Sequence, residues 1–403
     1  MERVRFATEI RWLLQTALVV FIAVPVIGIL NGTKALGDLS RDTILTHVHA
    51  GTLGWITLGA FAMVLWLFGP AVPASKDRNT RMLAILSACA IPVYVLAFFS
   101  GNLPARAITG TILLLIILLW AVFTLGAARG IGFGKLSVPQ LAVTLALITF
   151  VIGSSLGVLI QIQLATGAKI FTTDAVGAHA VAQVSGYLAL MAVGLIDWRL
   201  LGDASRRTRA ATIMIFSLFA AGLGVATGLL LGVIPLAGLA TPLQIIAVGI
   251  LIARVGRSAL AGLGSKAARH FAIAVPFLIL NIVLTVILII RVVSSGNVTD
   301  IPFGLIIALD HAMFVGTMTN VLFGVLLVAT ASHRVWAWAD DLVFWGMNLG
   351  VAAFIAVLLV DARELERYTA PVMGVAVLLA IAAFSLRLRA AREPETAGVG
   401  VPA

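Results

Sequence analysis

The chain has a single cysteine in 403 residues, Cys89, and it falls inside an apolar run. That excludes a disulfide framework and thiolate metal clusters, and leaves histidine, carboxylate or backbone as the only metal ligands. Charge is as scarce. Asp, Glu, Lys and Arg make up 11% of the residues, against about 25% in ordinary globular proteins. Apolar residues fill the space instead, at 61% with a mean hydropathy of +1.12. A soluble protein of this size cannot hide so much apolar surface, so the composition reads as an integral membrane protein. The formal charge of +10, from 27 Lys and Arg against 17 Asp and Glu, would suggest nucleic acid in a soluble chain. In a membrane chain the excess belongs in cytoplasmic loops.

Runs of about 20 apolar residues are long enough to cross a bilayer core as helices. There are twelve: Trp12 to Leu30, Ile44 to Gly69, Met82 to Ser100, Ala107 to Gly126, Val138 to Gln161, Ala175 to Trp198, Ala210 to Gly232, Leu236 to Ala253, Phe271 to Val292, Phe303 to Ala329, Leu342 to Val360 and Thr369 to Leu386. Turn-forming residues separate them, among them Asn31-Gly32, Gly69-Pro70, Gly101-Asn102-Leu103-Pro104, Gly202-Asp203 and Ser295-Gly296-Asn297. Only Val233 to Pro235 divides the seventh run from the eighth, which reads as a short hairpin. The first run has no small-residue cleavage site and is expected to be a retained helix. Residues 393–403 form a Glu/Pro/Gly-containing tail, expected to be disordered.

Of the 27 cations, 20 fall before the first run, after even-numbered runs or in the C-terminal segment, and 7 fall on the other side. The positive-inside rule then puts both termini in the cytoplasm, as expected for a bacterial inner-membrane protein, and nucleic acid drops out as a partner. The lipid bilayer is the expected partner.

Six histidines remain to be explained. His47, His179 and His311 are spaced 132 residues apart, twice over, and open the second, sixth and tenth runs. Asp42 and Asp174 each precede their histidine by five residues, and Gly54-Trp55 and Gly186-Tyr187 follow at seven. The third copy keeps Asp310-His311 with Gly316 nearby. Equal spacings with matching flanks predict three related four-helix units, about 1–134, 135–266 and 267–392, within a single transmembrane domain over 1–392. The expected architecture is an all-α bundle of twelve transmembrane helices with pseudo-threefold symmetry.

That topology puts His47, His49, His179 and His311 in the outer half of the membrane, and His270 and His333 at cytoplasmic ends. Ionisable side chains inside a bilayer are costly and usually mark a site. Neutral imidazole is the commonest metal ligand, so the four outer histidines are the candidate ligands. His47 and His49, two residues apart, point to nearly opposite helix faces and serve different pockets rather than one small ion. Haem suits such pockets: a flat macrocycle between helices needs one or two axial imidazoles, an apolar lining and small residues that let it approach. Gly54, Gly186 and Gly316, with Gly51, Gly59, Gly194 and Gly324, are the candidate openings. Helix packing is the plain alternative for them.

The segment His47-Val48-His49-Ala50-Gly51-Thr52-Leu53-Gly54-Trp55 resembles the haem-ligating segments of haem-copper oxidase catalytic subunits, particularly the cbb3-type and nitric oxide reductase branches. With His311-Ala312-Met313-Phe314-Val315-Gly316 and His333-Arg334, it is also similar to the NnrS family of twelve-span haem and copper proteins linked to nitric oxide tolerance. The resemblance implies the oxidase subunit I fold and one or two haems b. His49 or His47 would be one axial ligand and His311 the other, leaving the remaining member of the pair to join His179 on a second haem or a copper ion. It also implies a diatomic gas ligand such as nitric oxide, or a redox partner. Parts of the oxidase pattern are missing. The seventh run has no histidine, the tenth has only His311, and Gln183 stands where a tyrosine would follow His179. No carboxylate relay crosses the cytoplasmic half, so proton-pumping oxygen reduction is not expected. Two other readings stay open: a transporter or channel using buried polar residues such as Gln161, Gln183, Asn281, Asn320 and Asn348, and an accessory or assembly subunit.

Overall fold

A computed structural model describes residues 4–295 and 300–390. The described chain is helical, and twelve helices are long and apolar enough to cross a membrane. They are α1 (Ala7–Thr33), α2 (Arg41–Ala71), α3 (Ala74–Phe99), α4 (Leu103–Ile131), α5 (Val138–Thr166), α6 (Ala175–Ala204), α7 (Arg209–Leu231), α8 (Pro235–Gly262), α9 (Ala268–Ser295), α10 (Phe303–Ala329), α11 (Ala339–Leu359) and α12 (Arg363–Ala390). Gly296-Asn297 of the expected break, and the tail from Glu393, lie outside the described residues. The hairpin expected after α7 is present: Gly232 adopts φ +69 and the chain turns into a short helix, Ile234–Gly238.

Helix starts carry their own stop signals for the backbone. Ser40 accepts from the Thr43 N–H at 3.1 Å, Asn102 from Ala105 at 2.9 Å, and Asp174 from Gly177 at 2.8 Å, so α2, α4 and α6 begin with an otherwise orphaned donor satisfied. Neighbours in sequence pack side by side, and α12 packs back on α1, so the bundle closes on itself.

Three helices are more buried than the rest: α2, α6 and α10. They are also the three least apolar of the twelve. A helix ringed by protein does not have to satisfy lipid and can carry Thr, Gln, Asn and His. Trp55 on α2 donates to Thr319 on α10 at 3.0 Å, and Tyr187 on α6 to Thr57 on α2 at 3.4 Å, tying the inner helices together.

Each inner helix contains a π-helical stretch just after its histidine: Ala50–Thr57, Ala182–Leu188 and Ala312–Thr319. Threonines support two of them locally. Thr57, Thr317 and Thr319 each donate to the carbonyl five residues back, at 2.8 to 2.9 Å, capping acceptors that the wider turn leaves underused. Such bulges concentrate at functional sites. The end at which α1, α3 and α11 begin is held by buried ion pairs, Arg387 to Asp340 at 2.8 Å and Arg254 to Asp197 at 2.8 Å.

Candidate functional site

The four candidate histidines sit within the first turns of α2, α6 and α10, and their rings are fixed in one chemical sense. His47 Nδ1 donates to Val24 O on α1 at 3.0 Å, and His179 Nδ1 to Gly153 O on α5 at 2.7 Å. His49 Nδ1 donates to Leu45 O at 2.8 Å and His311 Nδ1 to Ile307 O at 2.9 Å, each one turn back on its own helix. A carbonyl can only accept, so Nδ1 carries the proton in all four. In the neutral ring Nε2 is then a lone pair free to ligate. Anchoring one ring nitrogen to a carbonyl is how proteins set the tautomer and orientation of metal-binding histidines.

The rings do not form one cluster. His47 turns to α1, where it lies over Gly28, and His311 is within its electrostatic reach. His49 turns to α3 and stacks on Phe98, with His179 and Arg106 within electrostatic reach. The opposite-face reading of His47 and His49 thus corresponds to two separate surroundings. Among the described residues no three His, Cys, Asp or Glu side chains gather as a metal-ion site.

His49 and His179 face a cavity of about 570 Å³ between α2, α3, α4, α5 and α6. Its volume lies in the ~300–1,000 Å³ range of cofactor and small-molecule sites. Leu45, Leu53, Leu113, Ile117, Phe150 and Val184 give it apolar walls, and Asp310 and Phe314 reach it from α10. Arg41, Asp42 and Arg106 line it beside the helix starts. Arg106 is buried and donates to Asp42 Oδ1 at 2.5 Å and to Phe98 O at 2.8 Å. Two buried acceptors on the wall, Gln161 Oε1 and Gln183 Oε1, have no hydrogen-bond partner among the described residues.

The glycines expected beside a cofactor sit at close helix contacts. A Cβ on Gly54 would come within 2.2 Å of Val20, one on Gly186 within 2.9 Å of Thr149, and one on Gly316 within 2.4 Å of Phe277. All three are points where helices touch, and none lines the cavity. The same is true of Gly59 against Leu322, Gly194 against Ala142 and Gly324 against Phe271. The glycines that admit the histidines are Gly28 and Gly157, where a Cβ would lie 3.3 Å and 2.8 Å from the Cε1 of His47 and His179. Neither stood out in the sequence, because a single glycine in an apolar run reads as packing. Arg106 and Phe98 were missed too: the first looks like a loop cation, the second like core.

Gln183 and Tyr187 also line the cavity. Asn320 lies elsewhere, bonded to His270 Nδ1 at 2.8 Å and to Asn348 at 2.7 Å, so His270 is buried in a separate polar knot. His333 pairs with Ser332 at the surface.

No family model matches the chain, and no curated protein matches it.

Proposed function

We propose that the chain is a multi-pass membrane protein that binds haem b through its inner-helix histidines and transfers electrons. One observation carries the reading: four membrane-embedded imidazoles each donate Nδ1–H to a carbonyl, leaving four Nε2 lone pairs, which we group as His47 with His311 and His49 with His179. His47 and His311 supply the first pair, one from α2 and one from α10, in keeping with the resemblance to the haem-copper oxidase core and the NnrS family. The three π-helical stretches, each after a repeat histidine, support descent from three four-helix units. The distribution of cations supports cytoplasmic termini, which puts the histidines toward the outer face of a bacterial inner membrane.

The residues present suit this group. His47 with His311, and His49 with His179, would hold haem iron by two imidazoles each, whereas a copper ion of the oxidase type asks for a third donor. When bound, haem supplies one-electron exchange at iron. With two imidazoles holding it, the group would be suited to electron transfer rather than to capture of a gas such as nitric oxide. The protein's part is to hold the ring nitrogens in place, shield the site with apolar walls and set the local charge through Arg106, Asp42 and Asp310.

Protein purified from haem-replete cells should show a Soret band and, on reduction, sharp α bands. His311→Ala should remove at least part of both. Colourless protein, or a spectrum untouched by His311→Ala, would falsify the reading. Colourless protein would also return attention to a solute path, for which the unpartnered Gln161 and Gln183 oxygens are the starting point.

A further inference from the structure

We infer that His49 and His179 form a second bis-imidazole haem site, built by the same rule as His47 and His311 and placed one helix unit along the chain. The inference rests on the haem reading above and adds a location, a ligand pair and a stoichiometry to it.

The two pairs correspond part by part. In each, one imidazole donates to the carbonyl a turn back on its own inner helix: His311 to Ile307 O, and His49 to Leu45 O. In each, the other donates to a carbonyl on the helix that precedes its own: His47 to Val24 O on α1, and His179 to Gly153 O on α5. That second ring lies over a glycine four residues after the accepting carbonyl, Gly28 or Gly157, and an added Cβ would press on its Cε1. A phenylalanine from the following helix covers the first ring, Phe354 on α11 for His311 and Phe98 on α3 for His49.

Advancing every helix number by four, with α12 followed by α1, carries the helices of one site onto those of the other, with His49 two residues past the position equivalent to His311. The set α10, α11, α1, α2 becomes α2, α3, α5, α6. The third such boundary, α6, α7, α9, α10, has no pair. Val181 stands two residues after His179 where α2 has His49, so α6 offers a single histidine there, and that one faces the cavity shared with His49. There Asn281 of α9 donates to Leu309 O of α10 at 2.9 Å, a polar contact between helices with no ring nitrogen left over.

The cavity of about 570 Å³ adjoins this second pair and gives a planar macrocycle room. Val48 alone separates His47 from His49 in the chain, so α2 would serve both sites.

The test uses the full-length protein in detergent, with haem per chain measured by the pyridine haemochromogen method and low-spin components resolved by EPR. Wild type should carry two haems per chain. His49→Ala and His179→Ala should each remove the same component and leave the other, while His47→Ala and His311→Ala remove the complementary one. His49→Met and His311→Met cover the case of unstable alanine variants: each keeps a ligand and should shift the reduction potential of its own component alone. One haem per chain that responds to His47 and His311 but not to His49 or His179 overturns the second site and leaves the haem reading standing. So does a sorting in which His49 shares its component with His311. Colourless wild-type protein overturns both.

Discussion

The ring of Phe98 lies parallel to the imidazole of His49, with centroids 3.7 Å apart and planes within 16°. Tyr94 meets the same imidazole edge-on at 6.1 Å, and the Arg106 guanidinium sits 4.7 Å from the Phe98 ring centroid. His49 is therefore fixed both by its bond to Leu45 O and in the rotation of its plane. His311 has a looser neighbour: Phe354 is tilted by 53° at 4.7 Å. The plane of an axial imidazole shapes the EPR signal of a low-spin ferric haem. Phe98→Leu should change the g-anisotropy of the His49 component and leave the His311 component as it was. Equal changes in both, or in neither, would separate Phe98 from any positioning role.

The glycines under the two cross-helix histidines make a graded prediction. At Gly157 an added methyl would stand 2.8 Å from His179 Cε1 and 3.0 Å from Nδ1, too close for the ring to keep its bond to Gly153 O. At Gly28 the corresponding gap is 3.3 Å, which a few tenths of an ångström of movement relieves. Gly157→Ala should lose the His179-dependent haem component, whereas Gly28→Ala should retain the His47-dependent one with a small shift. Haem content of the two purified variants checks this, and the opposite order would count against the placement of both rings.

Stability should depend on the ion pairs in proportion to their burial. Arg387 and Asp340 are almost fully buried, with side chains 1% and 3% exposed. Removing one partner leaves an uncompensated buried charge, a loss of about 3–5 kcal/mol in comparable sites. Arg387 keeps bonds to Val335 O and Trp336 O at 2.8 and 3.0 Å, so Asp340→Ala should fall at the lower end of that range. Asp361, paired with Arg363 at the surface and held at φ +55, should accept asparagine, which tolerates that backbone, without effect. Thermal unfolding in detergent distinguishes them. Comparable melting temperatures for Asp340→Ala and Asp361→Asn would contradict the assignment.

Much of this bundle is legible in the sequence because the bilayer enforces it. A run near 20 residues with few charges has few alternatives to a spanning helix, so the twelve spans follow from hydropathy. The inner position of α2, α6 and α10 is visible as well, since helices screened from lipid tolerate His47, Gln183 or Asn320. Pairing of the histidines was harder to read. A 132-residue period says that His47, His179 and His311 are related but not which faces meet, and only helix packing turns His47 toward α1 and His49 toward α3. The glycines show a similar limit. Gly54, Gly186 and Gly316 share the repeat and invite a common role, and at each a neighbouring helix packs close against the glycine. Arg106 follows Asn102-Leu103-Pro104 and looks like an exposed loop cation. It folds inward because Asp42 and two carbonyls, those of Ala97 and Phe98, supply acceptors there.

The central claim is that neutral, carbonyl-anchored imidazoles ligate haem in this bundle, and EPR of the oxidised full-length protein tests it most directly. The account predicts low-spin ferric signals of bis-imidazole ligation, with high-spin signal negligible. Protein that purifies without haem, or with a high-spin signal alone, would contradict it.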